Sequence, residues 1–208
     1  MKKTANTATG KKRLSLPATA AVFVVAMLVG FAGWKLLHGD STPASQTAPV
    51  TSPGSATTGG AFPEFSLQAV SDKPDGPAEL NLNAIKGHKT VFVIFKPSCP
   101  HCRKEADLLH ALQPEFAGKF KIVLASTGIK EESLDFGNAT GMTGLIYLGT
   151  YPLAAKLGIQ TVPAVFFVNE QGLITYVQIG EKDEVAEREI LTAFAEGREI
   201  PQSIGLGQ

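Results

Sequence analysis

Apolar residues along this chain come in three spacings, each predicting a different element. Leu14 to Leu37 is almost continuously apolar, with Lys35 its only charge, and about 20 such residues span a bilayer as one helix. Val91-Phe92-Val93-Ile94-Phe95 is shorter, rich in β-branched and aromatic residues, and does not alternate. It predicts a strand buried on both faces, and Phe120 to Ala125 predicts a second. Between them the spacing turns helical: from Cys99 onward, Ala106, Leu109 and Leu112 share one face, and Pro114 limits the helix. A helical crossover of about 15 residues makes the two strands parallel neighbours. Residues 130–138 read as helix, Leu145 to Leu148 as a short strand, and Pro152 to Leu157 as a helix stopped by Gly158. Val165 to Val168 and Leu173 to Val177 flank Asn169-Glu170-Gln171-Gly172, a hairpin signature. Asp183 to Glu196 is an amphipathic helix with Val185, Ile190, Leu191 and Phe194 apolar, Asp183 as its N-cap and Gly197 as its stop. Upstream, Phe62 to Leu67 opens the folded part; Leu80 to Leu82 reads as a short strand, and Asn83 to Lys86 as a helical turn before Gly87.

Polar stretches divide the chain into three parts. Residues 38–60 are nearly all Ser, Thr, Pro, Ala, Gly and Gln, a composition that cannot bury a core and reads as a flexible linker with a reach of roughly 25 Å. The expected division is 1–37 as a basic segment with its membrane anchor, 38–60 as linker, and 61–208 as the folded domain. Residues 1–37 carry a charge of +6, so the neutral total conceals a charge of −6 over residues 38–208, with 13 bases against 19 acids. That acidity gives no electrostatic basis for nucleic-acid binding. Positive residues before Leu14 and Trp34 near the far end place the N-terminus in the cytoplasm and the domain outside it. A cleaved signal peptide is the competing reading, but this apolar core is long and Phe31-Ala32-Gly33-Trp34 matches a cleavage site poorly. Either route delivers the domain to an oxidising compartment.

The chain has 2 cysteines, too few for a disulfide framework, and both fall in Cys99-Pro100-His101-Cys102 between the first strand and its helix. Pro97 and Pro100 bracket the turn, and Pro100 suits a first helical turn, where its missing N–H is not needed. Cys99 is thereby expected at a helix N-terminus, where free amides and the positive dipole end favour a thiolate. The thiolate is the species that attacks disulfides. Cys102, three residues on, is placed to displace whatever Cys99 captures. His101 and Lys96 are candidates to add positive charge beside the sulfurs.

This strand, C-x-x-C and helix, with Val162-Pro163 far downstream, resembles the thioredoxin fold, an α/β architecture with a central mixed sheet flanked by helices. Within it, residues 62–196 most resemble the membrane-anchored TlpA/ResA-type thiol–disulfide oxidoreductases. The resemblance implies that Cys99 is the nucleophile and Cys102 the resolving thiol. Glu105 matches the acidic residue of ResA-type proteins three places after the second cysteine, implying a carboxylate that manages the resolving proton. Val162-Pro163 matches the family's cis-proline element, whose backbone receives extended substrate, although an X-Pro bond taken alone is usually trans. The Pro100-His101 dipeptide is that of DsbA-type oxidases, whereas the rest of the chain looks like relatives that often act as reductases. Thioredoxin's buried aspartate is replaced by Val93 and its tryptophan by Ser98, so thioredoxin-like tuning is not implied.

The expected activity is disulfide exchange with periplasmic protein substrates, without a cofactor, on a single-pass bacterial inner-membrane protein recycled by a membrane redox partner. Two alternatives keep the fold. A Cu(I) carrier would use the same soft thiolates, and an interaction module would leave both thiols inert. Zinc would need four ligands, and His38, His88 and His110 show no spacing that clusters with the cysteines.

Overall fold

The computed structural model describes residues 57–200. The expected anchor, the linker up to residue 56 and residues 201–208 lie outside the described residues. Seven strands form one mixed sheet: β1 (Ser66–Ala69), β2 (Glu79–Asn81), β3 (Thr90–Phe95), β4 (Lys121–Ser126), β5 (Ile146–Leu148), β6 (Ala164–Val168) and β7 (Ile174–Ile179). Their spatial order is β2-β1-β5-β4-β3-β6-β7. β3 and β4 are parallel from Thr90↔Lys121 to Phe95↔Ser126, as their helical crossover requires. β4 and β5 are also parallel, while β6 runs antiparallel to β3 and β7 antiparallel to β6.

All six residues of β3 are buried, because helices cover both faces of the sheet. Val91, Val93 and Phe95 face α2 (Pro100–Leu112), α3 (Lys130–Thr140) and α5 (Glu184–Glu196). Phe92 and Ile94 face α1 (Leu82–Ile85) and α4 (Tyr151–Leu157), together with the aromatic ring of Phe62. Phe62 stacks against Phe65, Phe92 and Phe166 with ring centroids 4.9–5.8 Å apart, fastening the opening segment to the sheet.

Several expected boundaries move for local reasons. The Asn81 side chain accepts from the Ala84 N–H at 3.1 Å, so α1 begins at Leu82 and takes that residue out of β2. In the hairpin, Asn169 Oδ1 accepts from the N–H groups of Gln171 and Leu173, and Gly172 adopts φ 80°. β7 begins one residue later than expected and extends to Ile179. Asp183 caps α5 through the Ala186 N–H at 2.9 Å, and Gly197 ends it in the left-handed region.

One expectation about α5 is corrected. Val185 is 75% exposed, whereas Glu187 is fully buried. With 3.6 residues per turn, the face carrying Ile190, Leu191 and Phe194 also carries 187 and turns 185 to the opposite side.

Candidate active site

The paired thiols stand where β3 gives way to α2. Cys99 is the N-cap of α2, with φ −87° and ψ 119°, and Pro100 occupies the first helical position. The backbone N–H of Cys102 donates to Cys99 Sγ at 3.3 Å, supplying a free helix amide to the sulfur, as a serine oxygen would at the same position. Cys99 is half-buried and Cys102 buried, and both are free thiols. Burial, then contact with the Cys99 thiol, pushes the Cys102 thiol up to about 12, with smaller contributions from the charges of Cys99 and Glu105. The two sulfurs are therefore unequal: one sits in reach of solvent at a helix tip, the other is held as a neutral thiol in the core.

Val162-Pro163 lies against the same sulfur. The peptide bond is cis, and Cys99 Sγ donates to the Val162 carbonyl at 3.8 Å. The resemblance-based expectation for this bond holds. The approach loop, Lys96 to Ser98, is supported from below: the Thr127 N–H and hydroxyl both donate to the Phe95 carbonyl, and Ser126 Oγ accepts from the Gly128 N–H. A Cβ at Gly128 would meet the Pro97 ring at 2.6 Å, so this loop rests directly on a glycine.

His101 finds a carboxylate partner. The His101 imidazole is exposed, and its Nδ1 lies 3.2 Å from Glu181, which also pairs with Lys104 at 3.1 Å. The imidazole thus lies against a carboxylate that follows β7. Lys96 is exposed; its backbone holds the turn, with the carbonyl accepting from the Cys99 N–H at 3.0 Å and a backbone contact that pulls the Cys102 thiol down.

Glu105, one turn beyond Cys102, is fully buried on the face of α2 that carries Cys102, Ala106 and Leu109. Burial, then the negative charge of Glu187, drives its carboxyl well above the ordinary carboxylate range, while the Lys182 backbone opposes. Gln178 Nε2 donates to Glu105 Oε1 and to Glu187 Oε2, each at 3.2 Å. Glu187 is pushed up to about 7, chiefly by burial. Gln178, Glu187, Glu181 and Gly128 were not singled out from the sequence. The first two carry a signal there, each being a polar residue at an inward position of an otherwise apolar face.

Among the described residues, no group of three or more His, Cys, Asp or Glu side chains is placed to hold a metal ion. A cavity of about 520 Å3 lined by Leu80, Phe116, Phe120, Ile122 and Tyr147 shares no residue with the cysteine pair.

Fold and paired thiols together define a thioredoxin-like thiol–disulfide oxidoreductase. The chain belongs to the Redoxin family, whose model matches residues 57–193. It is 26% identical over 164 residues to the thioredoxin-like protein YneN of Bacillus subtilis, covering 77% of this chain and 88% of that one. Solved structures share the fold, among them these two. One is a putative thiol:disulfide interchange protein DsbE from Chlorobium tepidum, with TM-score 0.57 and 17% identity, covering 67% of this chain and 99% of the other. StoA of Bacillus subtilis matches with TM-score 0.50 and 23% identity over 63% of this chain and 97% of its own.

Proposed function

We propose that this protein exchanges disulfides with extracytoplasmic protein substrates, with Cys99 as nucleophile and Cys102 as resolving thiol. The observation that carries this reading is the half-buried Cys99 sulfur, capped by the Cys102 N–H and lying beside the Val162 carbonyl. The Cys99 thiolate attacks a substrate disulfide and forms a mixed disulfide, releasing one substrate thiolate. Cys102 then loses its proton to the Glu105 carboxylate and attacks Cys99 Sγ. The Cys99–Cys102 bond forms, the bond to substrate breaks, and the second substrate thiolate leaves. The substrate is reduced by two electrons and the pair oxidised; the reverse sequence oxidises a substrate dithiol. Val162 offers its backbone to an extended substrate, and Pro163 brings no N–H to compete.

The apolar run from Leu14 to Leu37, with basic residues before it, supports a single-pass anchor that holds the domain on the periplasmic side of an inner membrane. Residues 38–60 then serve as tether, and a membrane redox partner recycles the pair. The test is insulin reduction and model-dithiol oxidation by the full chain, in detergent, after strict metal removal. Exchange that persists and disappears in Cys99→Ser supports the reading; exchange that requires added Cu(I), or that survives Cys99→Ser, overturns it. Equilibration with glutathione sets the direction of electron flow, a potential near −120 mV marking an oxidase and one near −270 mV a reductase on the scale of known oxidoreductases.

A further inference from the structure

Behind Cys102 the core contains more ionisable groups than the exchange reaction assigned above uses. Glu105 from α2, Gln178 from β7 and Glu187 from α5 are all fully buried. One amide nitrogen, Gln178 Nε2, serves both carboxyl groups and also contacts the Gly180 carbonyl at 3.3 Å. The outer oxygens Glu105 Oε2 and Glu187 Oε1, the Gln178 Oε1 atom and the Tyr176 hydroxyl have no hydrogen-bond partner among the described residues. Two carboxylates out of water, joined only by a shared neutral amide, are costly to ionise together. Such a pair titrates as a unit, and the first proton it binds is held more tightly than either group alone would hold it.

We propose that Glu187 is a positioning residue for the thiol chemistry, acting through Gln178 and through its charge to set the proton affinity of Glu105 when Cys102 is deprotonated. The inference rests on the reading of Glu105 as the group that takes that proton. An anionic Glu187 makes Glu105 a stronger base; a neutral Glu187 makes it a weaker one. The ionisable groups facing the pair are Cys102 on the Glu105 helix, Tyr176 on β7, and Glu181 and Lys182 in the segment between β7 and α5. Lys182 acts on both carboxyls in the direction of ionisation, Glu181 opposes it at Glu105, and Glu187 in turn raises the Tyr176 hydroxyl. Glu187 is the fully buried carboxyl among these partners and shares the Gln178 amide with Glu105, so its removal is the cleanest perturbation.

The step is read in isolation by loading Cys99 of the full chain with thionitrobenzoate as a mixed disulfide. Release of the coloured thiolate, as Cys102 attacks, is then followed by stopped flow from acidic to alkaline pH. In wild type the release rate carries an inflection from Glu105. Glu187→Gln, which keeps an oxygen to accept from Gln178 but removes the charge, is expected to move that inflection down by about one pH unit. The rate above the inflection is expected to fall by about threefold or more, because a weaker base accepts the proton less readily. In a Glu105→Gln background the same change is expected to leave the profile where it is. An inflection unmoved by Glu187→Gln overturns the proposal while leaving Glu105 in place; an inflection that survives Glu105→Gln overturns the reading of Glu105 itself. Should Glu187→Gln fail to fold, carboxyl carbon-13 titration of the wild-type protein decides the matter. Linked titrations of Glu105 and Glu187 support the proposal, and independent single-proton curves overturn it.

Discussion

The backbone N–H of Cys102 points at the sulfur of Cys99, 3.3 Å away, while the side chain of Cys102 turns into the core. One residue thus supports the other's sulfur and holds its own thiol out of solvent. That difference in access supports the proposed order, in which Cys99 meets the substrate and Cys102 meets Cys99. Cys99→Ser is expected to lower exchange to below about 1% of wild type, since a hydroxyl cannot replace the thiolate. Cys102→Ser is expected instead to accumulate covalent Cys99–substrate adducts, visible on non-reducing gels and dispersed by dithiothreitol. Adducts forming on Cys102 in the Cys99→Ser protein would reverse the assignment.

Glu187 links stability to pH. Its folded value of about 7 lies above the ordinary 4.5. A raised carboxyl favours the folded state fully below the unfolded value and loses that contribution as pH rises through the folded one. Wild type is therefore expected to be less stable at pH 8 than at pH 5, by roughly 2–3 kcal/mol from this group. Glu105, shifted in the same direction, adds to the trend. Urea denaturation of wild type and Glu187→Gln at both values checks this; the variant is expected to show a smaller difference.

Glu181 restrains the histidine between the cysteines. Its carboxylate lies 3.2 Å from His101 Nδ1 and 3.1 Å from Lys104. Glu181→Gln removes a negative charge beside His101 and Lys104, which favours the reduced thiolate, so the disulfide becomes the stronger oxidant. The potential is expected to rise by about 10–30 mV in glutathione equilibration. A fall, or no change, would show that His101 takes no part in setting it.

Gly128 carries the approach loop. A methyl group there would lie 2.6–2.7 Å from Pro97 Cγ and Cδ, and a proline ring in a packed turn has little room to retreat. Gly128→Ala is expected to displace Pro97 and Ser98, lowering kcat/KM about tenfold or more through misplacement of Cys99. The cost in stability is expected to be about 1–3 kcal/mol. Steady-state insulin reduction and urea melts separate the two effects.

Phe62 is 1% exposed and touches three other aromatic rings. Phe62→Ala is expected to destabilise the domain by about 3–5 kcal/mol, as large buried truncations do. With the cysteines on the opposite side of the sheet, kcat at low temperature should change little; a large loss of kcat in folded protein would contradict this.

What could be read along the chain was what depends on near neighbours. The unbroken apolar run of β3, the proline at the start of α2, the Asp183 cap and the Gly197 stop each act within a few residues, so their physics is present in the sequence. Cys99 at the helix N-terminus follows from that local logic, and the hairpin at Asn169 from its turn residues. What tertiary structure decided is which polar groups meet in the core. Glu105, Gln178 and Glu187 come from three separate elements, and His101 finds Glu181 from beyond β7. Even the inward turn of Glu187, with Val185 facing solvent, was settled by α5 packing its 187–190–191–194 face on the sheet. A carboxyl's proton affinity depends on burial and on the charges around it, and both are set only when distant segments close over it.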